Sequence, residues 1–263
     1  ARTHVQDTYR LDRRLIRTRR SDPSIQDELV SRMLEVKTLI DPSRELAFSL
    51  LEDWRWSAAP SNAEGDKEIR TSQVFGQMLE AALSNPSELR IVFQERLEEL
   101  SQGTVSPAFE DEVRILENGI AALEEDDGSF YETIESVITE KHAANNNLNF
   151  IIFATSSRVA DGISEHLNGV FANRIYRASG SSSAQTNAFL DHSHEWSVLV
   201  CDKSSEEGLN LQRIKACIIH ADLPLTAGRI EQRIGRLDRL KASVPHVTSI
   251  VFETSNKYEA LWL

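Results

Sequence analysis

The sequence predicts an α/β fold, a doubly wound parallel sheet preceded by a largely helical region. Up to about residue 128, apolar side chains recur at the three- and four-residue spacing of amphipathic helices. After that point, short apolar runs typical of strands buried on both faces alternate with helical patterns. We therefore divide the chain into residues 1–128, mainly helical with a basic N-terminal linker, and residues 129–263, which carry the sheet.

Helical spacing dominates the first unit. Its apolar positions fall into four groups: Leu29, Met33, Val36 and Ile40; Val74, Phe75, Met78, Leu79 and Leu83; Leu89, Val92, Phe93, Leu97 and Leu100; and Val113, Leu116, Ile120 and Leu123. Segments with proline or glycine separate the groups, at positions 41–42, 59–66, 85–86 and 106–107. Each group predicts one helix.

Strands and helices alternate in the second unit. A helix carrying Ile134, Val137 and Ile138 comes first, and helical patterns recur at 159–167 and 226–239. Five apolar runs predict strands, at residues 150–154, 174–176, 197–201, 216–219 and 249–252. Because ligands of doubly wound sheets bind beside the carboxyl ends of the strands, we expect the functional residues in the loops that follow them.

Composition narrows the class of protein. The net charge of −12 excludes a broadly basic nucleic-acid-coating protein, although a local basic surface remains compatible with it. The two cysteines, Cys201 and Cys217, are too few for a disulfide framework or a zinc cluster, and we expect buried, inert thiols. No apolar run reaches the ~20 residues of a membrane span. Without a signal peptide or an initiator Met, the chain is expected to be a cytoplasmic fragment of a longer protein.

The segment at residues 231–239 carries the chemistry. On a helix, Gln232, Arg236 and Arg239 share one face. Gly235 removes a side chain beside that face at a cost of about 1 kcal/mol in helix propensity, which indicates a close approach. Two guanidinium groups on one face suit a phosphate. The same residues equally allow a surface helix whose arginines pair with acidic neighbours, Glu231 and Asp238.

The exact order of residues favours the phosphate-binding interpretation over the surface helix. Residues 231–239 resemble motif six of superfamily 2 helicases and translocases, Gln-x-x-Gly-Arg-x-x-Arg. They are especially similar to Swi/Snf-type ATPases of the bacterial RapA-like branch. Residues 150–156 resemble motif four, residues 205–212 resemble motif five, and residues 219–224 resemble the strand and proline that precede motif six. The resemblance extends over residues 147–252.

This resemblance implies the C-terminal RecA-like lobe of an ATP-driven DNA translocase. It implies catalytic roles for three motif-six residues, of which the arginines would reach the γ-phosphate: Gln232, Arg236 and Arg239. It implies positions near the nucleotide for Glu207, Gly208 and Gly235. It implies contacts with the phosphate backbone of a nucleic-acid strand for Thr155, Ser156 and Ser205.

The expected ligands and partners follow from what the chain contains. No Gly-x-x-x-x-Gly-Lys-Ser/Thr segment occurs. We therefore expect ATP and Mg²⁺ to be bound mainly by an N-terminal RecA-like lobe of the same protein, and no metal to be held by this chain. The expected substrate is DNA, in duplex form. The helical region is expected to select a protein partner, and no membrane contact is expected.

Two alternatives stay open beside the translocase: a strand-separating helicase, and a non-catalytic lobe that serves as an interaction module. The chain also departs from the family pattern, because residues 181–187 contain no arginine and Leu240-Lys241 replaces the Gly-Gln usual in eukaryotic members. These departures set it apart from chromatin remodellers.

Two further clusters have more than one interpretation. The stretch at residues 9–20 is similar to the basic linker between the lobes of these enzymes, and its helical stripe comprises Arg10, Arg13, Arg14 and Arg17. This stripe is interpreted equally well as a phosphate-facing linker helix or as a surface neutralised by acidic helices. His192 and His194 lie near Glu195, but the spacing favours an ordinary loop over a metal site.

Overall fold

The computed structural model describes residues 31–58, 66–102, 110–123, 128–180, 183–192, 195–206, 209–211, 214–238 and 246–254. Within these ranges, six strands form one sheet. In chain order they are β1 (Ser31–Thr38), β2 (Asn149–Phe153), β3 (Ile175–Ala178), β4 (Val198–Cys201), β5 (Ala216–His220) and β6 (His246–Glu253). They pair in the order β1-β6-β5-β2-β4-β3, and every pair is parallel.

Helices surround this sheet and form a separate layer beside it. In chain order they are α1 (Pro42–Ala58), α2 (Asp66–Ser84), α3 (Pro86–Ser101), α4 (Glu110–Ala122), α5 (Ser129–Ala144), α6 (Ser157–Val170), α7 (Ser183–Asp191) and α8 (Ala227–Ile234). Helices α5 and α6 share a hydrophobic core with one face of the sheet, and α7 and α8 share one with the other face. Helices α1 to α4 have a core of their own, and we call them the helical subdomain.

The central strands β2, β4 and β5 are apolar at almost every position because both of their faces are covered, and Asn149 in β2 and His220 in β5 are the buried polar exceptions. In β2, Phe150 and Ile152 join the core under α5 and α6. The intervening Ile151 and Phe153 join the core on the opposite face. Alternate side chains of a strand point to opposite faces, so a strand between two helical layers is mainly hydrophobic rather than alternating.

The core of the helical subdomain contains one buried polar network. Trp54 is almost fully buried and donates its indole N–H to Oε1 of Glu112 at 3.1 Å. Arg96 donates to the same oxygen from Nε at 2.9 Å. The carboxylate of Glu112 thus has both a donor and an opposite charge, which offsets the cost of burying it.

The predicted fold class and most of the predicted elements are confirmed. The second, third and fourth apolar groups form α2, α3 and α4, and the helix with Ile134, Val137 and Ile138 is α5. The five apolar runs form β2 to β6. Helix α1 was not predicted, although Ala47, Leu51 and Trp54 recur at helical spacing and are buried in it.

The first apolar group is a strand, so the helix predicted there is wrong. Strand β1 pairs with β6 at eight positions, from Ser31 opposite His246 to Thr38 opposite Glu253. Strand β1 lies at the edge of the sheet, where Met33 and Val36 are about half exposed. Its sequence therefore lacks the alternation of apolar and polar residues by which a half-buried strand is predicted. The sheet thus includes a strand from the segment predicted to be helical, and the boundary after residue 128 stays a prediction.

Candidate functional site

The loops that follow β2, β4 and β5 converge at one edge of the sheet. These strands are neighbours in the order β5-β2-β4 and run parallel, so their carboxyl ends meet. Thr155 follows β2, residues 202–206 follow β4, and Asp222 follows β5. Helix α8 begins shortly after β5 and packs over these loops. This is the edge at which the sequence predicted the functional residues.

Asp222 accepts hydrogen bonds from three parts of the chain. Its Oδ2 accepts from the backbone N–H of Thr155 at 2.5 Å and from Oγ of Ser84 at 3.0 Å. Its Oδ1 accepts from Oγ1 of Thr155 at 2.9 Å and from Nη2 of Arg233 at 3.1 Å. This carboxylate therefore joins the loop after β2, helix α8 and the end of α2.

Arg233 is completely buried, with no exposed surface. Its Nε donates to Oε1 of Glu206 at 2.8 Å, and its Nη1 donates to the backbone oxygen of Asp222 at 2.8 Å. Its Nη2 also reaches Oγ1 of Thr155 at 3.2 Å, and the guanidinium carbon lies 5.6 Å from the ring centroid of Phe153. A buried guanidinium needs such compensation, because an unpaired charge in the interior is strongly destabilising.

Arg229 binds the same glutamate one helical turn earlier. It donates to both carboxylate oxygens of Glu206, from Nε at 3.0 Å and from Nη2 at 2.8 Å. Burial would lower the pKa of Arg229, but the hydrogen bonds and charge of Glu206 outweigh it and raise that pKa. We call Thr155, Glu206, Asp222, Arg229 and Arg233 the buried ionic cluster.

The buried ionic cluster was not predicted from the sequence, although signals for it exist. Arg229 and Arg233 are four residues apart on α8 and therefore share a face. Glu206 and Asp222 lie shortly after buried apolar strands, where a carboxylate needs a partner. Arg233 attracted no role because it lies off the face of Gln232.

Motif six is arranged differently from the prediction. Helix α8 ends at Ile234, with Gly235 as its C-cap, so a continuous helix to Arg239 is wrong. The chain turns there because Leu237 is buried in the core beneath the sheet and Asp238 forms an ion pair with Arg32 of β1 at 2.5 Å. The single helical face predicted for the motif therefore does not continue past the end of α8.

The individual residues of motif six have distinct environments. Gln232 is exposed on α8, and Arg239 lies outside the described residues. Arg236 is half-buried in the turn after α8, and its Nε is buried with no hydrogen-bond partner among the described residues. At Gly235, a Cβ would lie 3.0 Å from the backbone oxygen of Glu231. The close approach predicted at Gly235 is therefore made by the backbone of α8 itself.

Glu231 and Asp238, the two carboxylates beside the arginines of motif six, both contact the edge strand β1. Glu231 and Asp238 both accept hydrogen bonds from Arg32 of β1, at 2.8 Å and 2.5 Å respectively. The contacts observed for the two carboxylates tie the end of α8 to the edge strand.

In the loop after β4, the side chain of Ser205 points into the protein. Ser205 is 1% exposed, and its hydroxyl donates to the backbone oxygen of Asp202 at 2.9 Å. In this conformation the side chain cannot touch a nucleic-acid strand, so the direct contact predicted for it is not supported. Glu207 and Gly208, predicted to lie near the nucleotide, lie outside the described residues.

Asp202 holds that loop in place. It accepts from the backbone N–H groups of Ser204 and Ser205 at 2.9 and 3.2 Å, from Ser157 at 3.1 Å and from Arg177 at 2.7 Å. Burial would raise the pKa of Asp202, but hydrogen bonds from Ser204 and Arg177 outweigh it and lower that pKa to about 2. The loop is thus fixed by an ionised carboxylate.

The two hydroxyls after β2 lie closer to solvent. Thr155 and Ser156 are both partly exposed. Ser156 is the N-cap of α6, and its side chain accepts from the backbone N–H of Arg158 at 3.2 Å and of Val159 at 3.5 Å. The hydroxyl of Thr155 is held in the buried ionic cluster. Of the three residues predicted to contact a nucleic-acid backbone, these two are the ones at the surface.

The remaining predictions concern absences and thiols. Cys201 and Cys217 are buried as predicted, and burial raises the pKa of each thiol to about 12. Among the described residues, no group of three or more His, Cys, Asp or Glu side chains could hold a metal ion. His194 and residues 1–30, which include the basic stripe, lie outside those ranges. No described helix is both long and apolar enough to cross a membrane.

The part of the chain that forms this edge of the sheet is similar to a known protein family. Residues 131–241, from α5 to just beyond α8, match the family model of the helicase conserved C-terminal domain. A search of curated proteins found no significant match. The segment that carries the buried carboxylates, Arg229, Arg233 and Arg236 therefore lies within the part of the chain that matches this family model.

Solved structures show the same fold. The crystal structure of the Pyrococcus furiosus Hef helicase domain is 17% identical, with a TM-score of 0.60 over 92% of this chain and 60% of that one. The C-terminal part of the Fun30 ATPase domain is 12% identical, with a TM-score of 0.53 over 89% of this chain and 88% of that one. The Sulfolobus solfataricus SWI2/SNF2 ATPase core in complex with dsDNA is 13% identical, with a TM-score of 0.50 over 91% and 44%.

These similarities confirm the predicted RecA-like α/β fold. The chain spans only 60% of the Hef helicase domain and 44% of the SWI2/SNF2 core, so it corresponds to part of each of those chains.

Proposed function

We propose that this helicase C-terminal domain belongs to a Swi/Snf-type DNA translocase and supplies arginine side chains to an ATP site shared with an N-terminal RecA-like lobe. One observation carries the proposal. Arg229 and Arg233 are held by carboxylates, whereas Arg236 lies just beyond α8 with a buried Nε that has no partner among the described residues. Because Arg236 is only half-buried, the outer part of its guanidinium keeps donors open to an added anion.

Arg236 fits the needs of phosphoryl transfer. The transition state spreads negative charge over the phosphoryl oxygens, and an arginine at that position stabilises it. The turn after α8 is fixed on both sides, because Leu237 is buried and the backbone oxygen of Arg236 accepts from the N–H of Leu211 at 3.3 Å. We assign the finger role to Arg236 and, from the motif alone, to Arg239, with Gln232 as their orienting neighbour.

ATP and Mg²⁺ would be bound mainly by the other lobe, and Mg²⁺ would neutralise charge on the phosphates there. This chain would contribute the arginines and, from the motif, the positions Glu207, Gly208 and Gly235 near the nucleotide. Gly235 keeps the turn compact, since a side chain would crowd the backbone oxygen of Glu231 at 3.0 Å. The fit depends on the open donor of Arg236.

Nucleic acid would contact the loop after β2. Thr155 and Ser156 stand at the N-terminus of α6, where backbone N–H groups and hydroxyls suit contacts with phosphates that are independent of sequence. The role first assigned to Ser205 is better described as holding its loop. The Sulfolobus solfataricus SWI2/SNF2 core forms a complex with dsDNA, and this supports duplex DNA as the substrate proposed here.

The test replaces Arg236 in the full-length protein. Arg236→Ala should lower DNA-stimulated ATP hydrolysis by about 10³-fold, the lower range for loss of an arginine finger. The thermal unfolding midpoint should stay unchanged. Arg114→Ala is the matched control, because Arg114 is 69% exposed on α4 and forms an ion pair with the neighbouring Asp111. Turnover retained by Arg236→Ala would refute the assignment.

A strand-separating helicase is the second candidate, supported by the similarity to the Hef helicase domain. The two candidates differ in what ATP hydrolysis does to a duplex. A translocase displaces a third strand from a triplex without releasing either strand of the duplex. Release of a labelled strand from a forked duplex would favour the helicase.

A further inference from the structure

We propose that Ser84 and Glu80, at the end of α2, are positioning residues that couple the helical subdomain to the nucleic-acid loop and the arginine turn. This inference rests on the proposed function and adds to it a route by which the helical subdomain controls turnover. Neither residue lies in the helicase C-terminal domain, which matches residues 131–241.

Ser84 makes the more direct connection. It is 3% exposed, and its hydroxyl donates to Oδ2 of Asp222 at 3.0 Å. The same oxygen accepts the backbone N–H of Thr155 at 2.5 Å. One carboxylate oxygen thus holds both the end of α2 and the loop proposed to contact DNA. A displacement of Ser84 would change the position of Asp222 and therefore of Thr155.

Glu80 makes the second connection, one turn earlier on α2. Its Oε1 lies 3.2 Å from Nη1 of Arg229 and 3.6 Å from Nζ of Lys203. Arg229 in turn binds Glu206, which also binds Arg233 in the last turn of α8. A continuous set of charged contacts therefore leads from α2 to the residues just before Gly235 and Arg236.

The end of α2 is held by hydrogen bonds from Arg44. Arg44, 2% exposed, donates from Nη1 to the backbone oxygen of Leu83 at 3.0 Å and from Nη2 to that of Ser84 at 3.2 Å. The backbone N–H of Arg44 donates to Oδ1 of Asp41 at 2.9 Å, just after β1. Since α2 is fixed at this end, a ligand that moves the helical subdomain would act on Asp222 rather than bend a loop.

A groove opens directly over these contacts. It has a volume of about 250 Å³ and runs between α2 and the loop after β2, where its lining includes Gln77, Glu80, Ser84, Thr155, Ser156 and Lys203. DNA at Thr155 and Ser156 would therefore lie beside Ser84 and Glu80. The arrangement makes the helical subdomain responsive to DNA at the site where turnover is stimulated.

The experiment measures ATP hydrolysis by the full-length protein with and without a blunt duplex. Ser84→Ala and Glu80→Ala should each lower the ratio of stimulated to unstimulated kcat by about tenfold, within the usual range for coupling between sites. The KM for ATP should change less than kcat. Ser84→Thr retains the hydroxyl and should restore the ratio. Asp111→Asn, on the exposed surface of α4, is the matched control and should leave the ratio unchanged.

The outcomes separate this inference from the proposed function. A wild-type protein without DNA-stimulated hydrolysis would overturn both. Stimulation in the wild type with an unchanged ratio in Ser84→Ala and Glu80→Ala would overturn the coupling alone. A purely structural role would lower both rates together with the unfolding midpoint. If Ser84→Ala does not fold, Glu80→Ala decides, because the Glu80 side chain is 34% exposed and tolerates replacement.

Discussion

Arg229, Arg233 and Arg236 follow one another along α8 and the turn that ends it, but their different surroundings indicate different roles. The first two are bound by Glu206 in a buried setting, where removing one partner of an ion pair typically costs about 3–5 kcal/mol. They hold the loops together. The third is half-buried, and its Nε has no hydrogen-bond partner among the described residues, which is the basis for the phosphate-binding role proposed for it. Residue type and spacing predicted Arg236, but the distinction depends on which carboxylates the fold brings near.

His220 provides a prediction at the same scale. It is buried in β5, neither ring nitrogen has a hydrogen-bond partner among the described residues, and burial together with the charge of Arg233 lowers its pKa to about 3. Below pH 6.5 the unfolded chain binds a proton that the folded chain cannot bind. Stability should therefore fall as pH decreases from 6.5 toward 3, by at most about 1.4 kcal/mol per pH unit from this group.

His220→Leu should remove that contribution. The measurement is urea unfolding of the wild type and the variant at pH 7 and pH 5, where Asp202, with a pKa near 2, stays ionised. The variant should lose less stability between the two values than the wild type. His246→Leu, at an exposed position, is the control. Equal losses in wild type and His220→Leu would show that His220 is protonated in the folded state.

At the scale of elements, the local sequence pattern predicted those strands whose burial makes them apolar. It did not predict elements whose conformation depends on contacts with distant parts of the chain. The covered strands β2, β4 and β5 consist mainly of apolar residues without alternation and were predicted from that pattern. Strand β1 was not, because its partner β6 lies at the far end of the chain. The length of α8 also depends on distant groups, since Asp238 pairs with Arg32. The buried ionic cluster escaped prediction for the same reason.

The packing of α4 against α3 provides a prediction for an element. A Cβ added at Gly119 would lie 2.5 Å from Cε2 of Phe93, a ring with no exposed surface. Gly119→Ala should destabilise the protein by about 1–2 kcal/mol, since overpacking of ~1–3 kcal/mol outweighs the gain in helix propensity. Gly76→Ala in α2 is the matched control, because a Cβ there meets no atom within 4 Å.

The measurement is the denaturant midpoint of unfolding for Gly119→Ala, Gly76→Ala and the wild type. Gly76→Ala should raise the midpoint, since alanine favours a helix interior by up to about 1 kcal/mol over glycine. The opposite signs of the two changes test the contact itself rather than a general tolerance of alanine. A midpoint for Gly119→Ala at or above that of the wild type would mean that α3 and α4 are packed less closely than described.

At the scale of the whole molecule, the sheet and the helical subdomain together provide one side of the proposed ATP site. We predict that the isolated chain hydrolyses no ATP, because in the proposed function the arginines act on a phosphate that another lobe would hold. The measurement is phosphate release by the chain alone and after addition of the N-terminal lobe of the same protein. Hydrolysis by the chain alone, abolished by Arg236→Ala, would contradict the shared site.

The pairing of β1 with β6 also sets an order of events during synthesis. Residues 31–38 leave the ribosome long before residues 246–253 exist, so β1 has no partner until those residues have been made. The helical subdomain, whose contacts are nearer in sequence, can form in the meantime. Throughout that interval Met33, Leu34 and Val36 belong to an unpaired strand, the kind of segment on which nascent chains aggregate or chaperones bind.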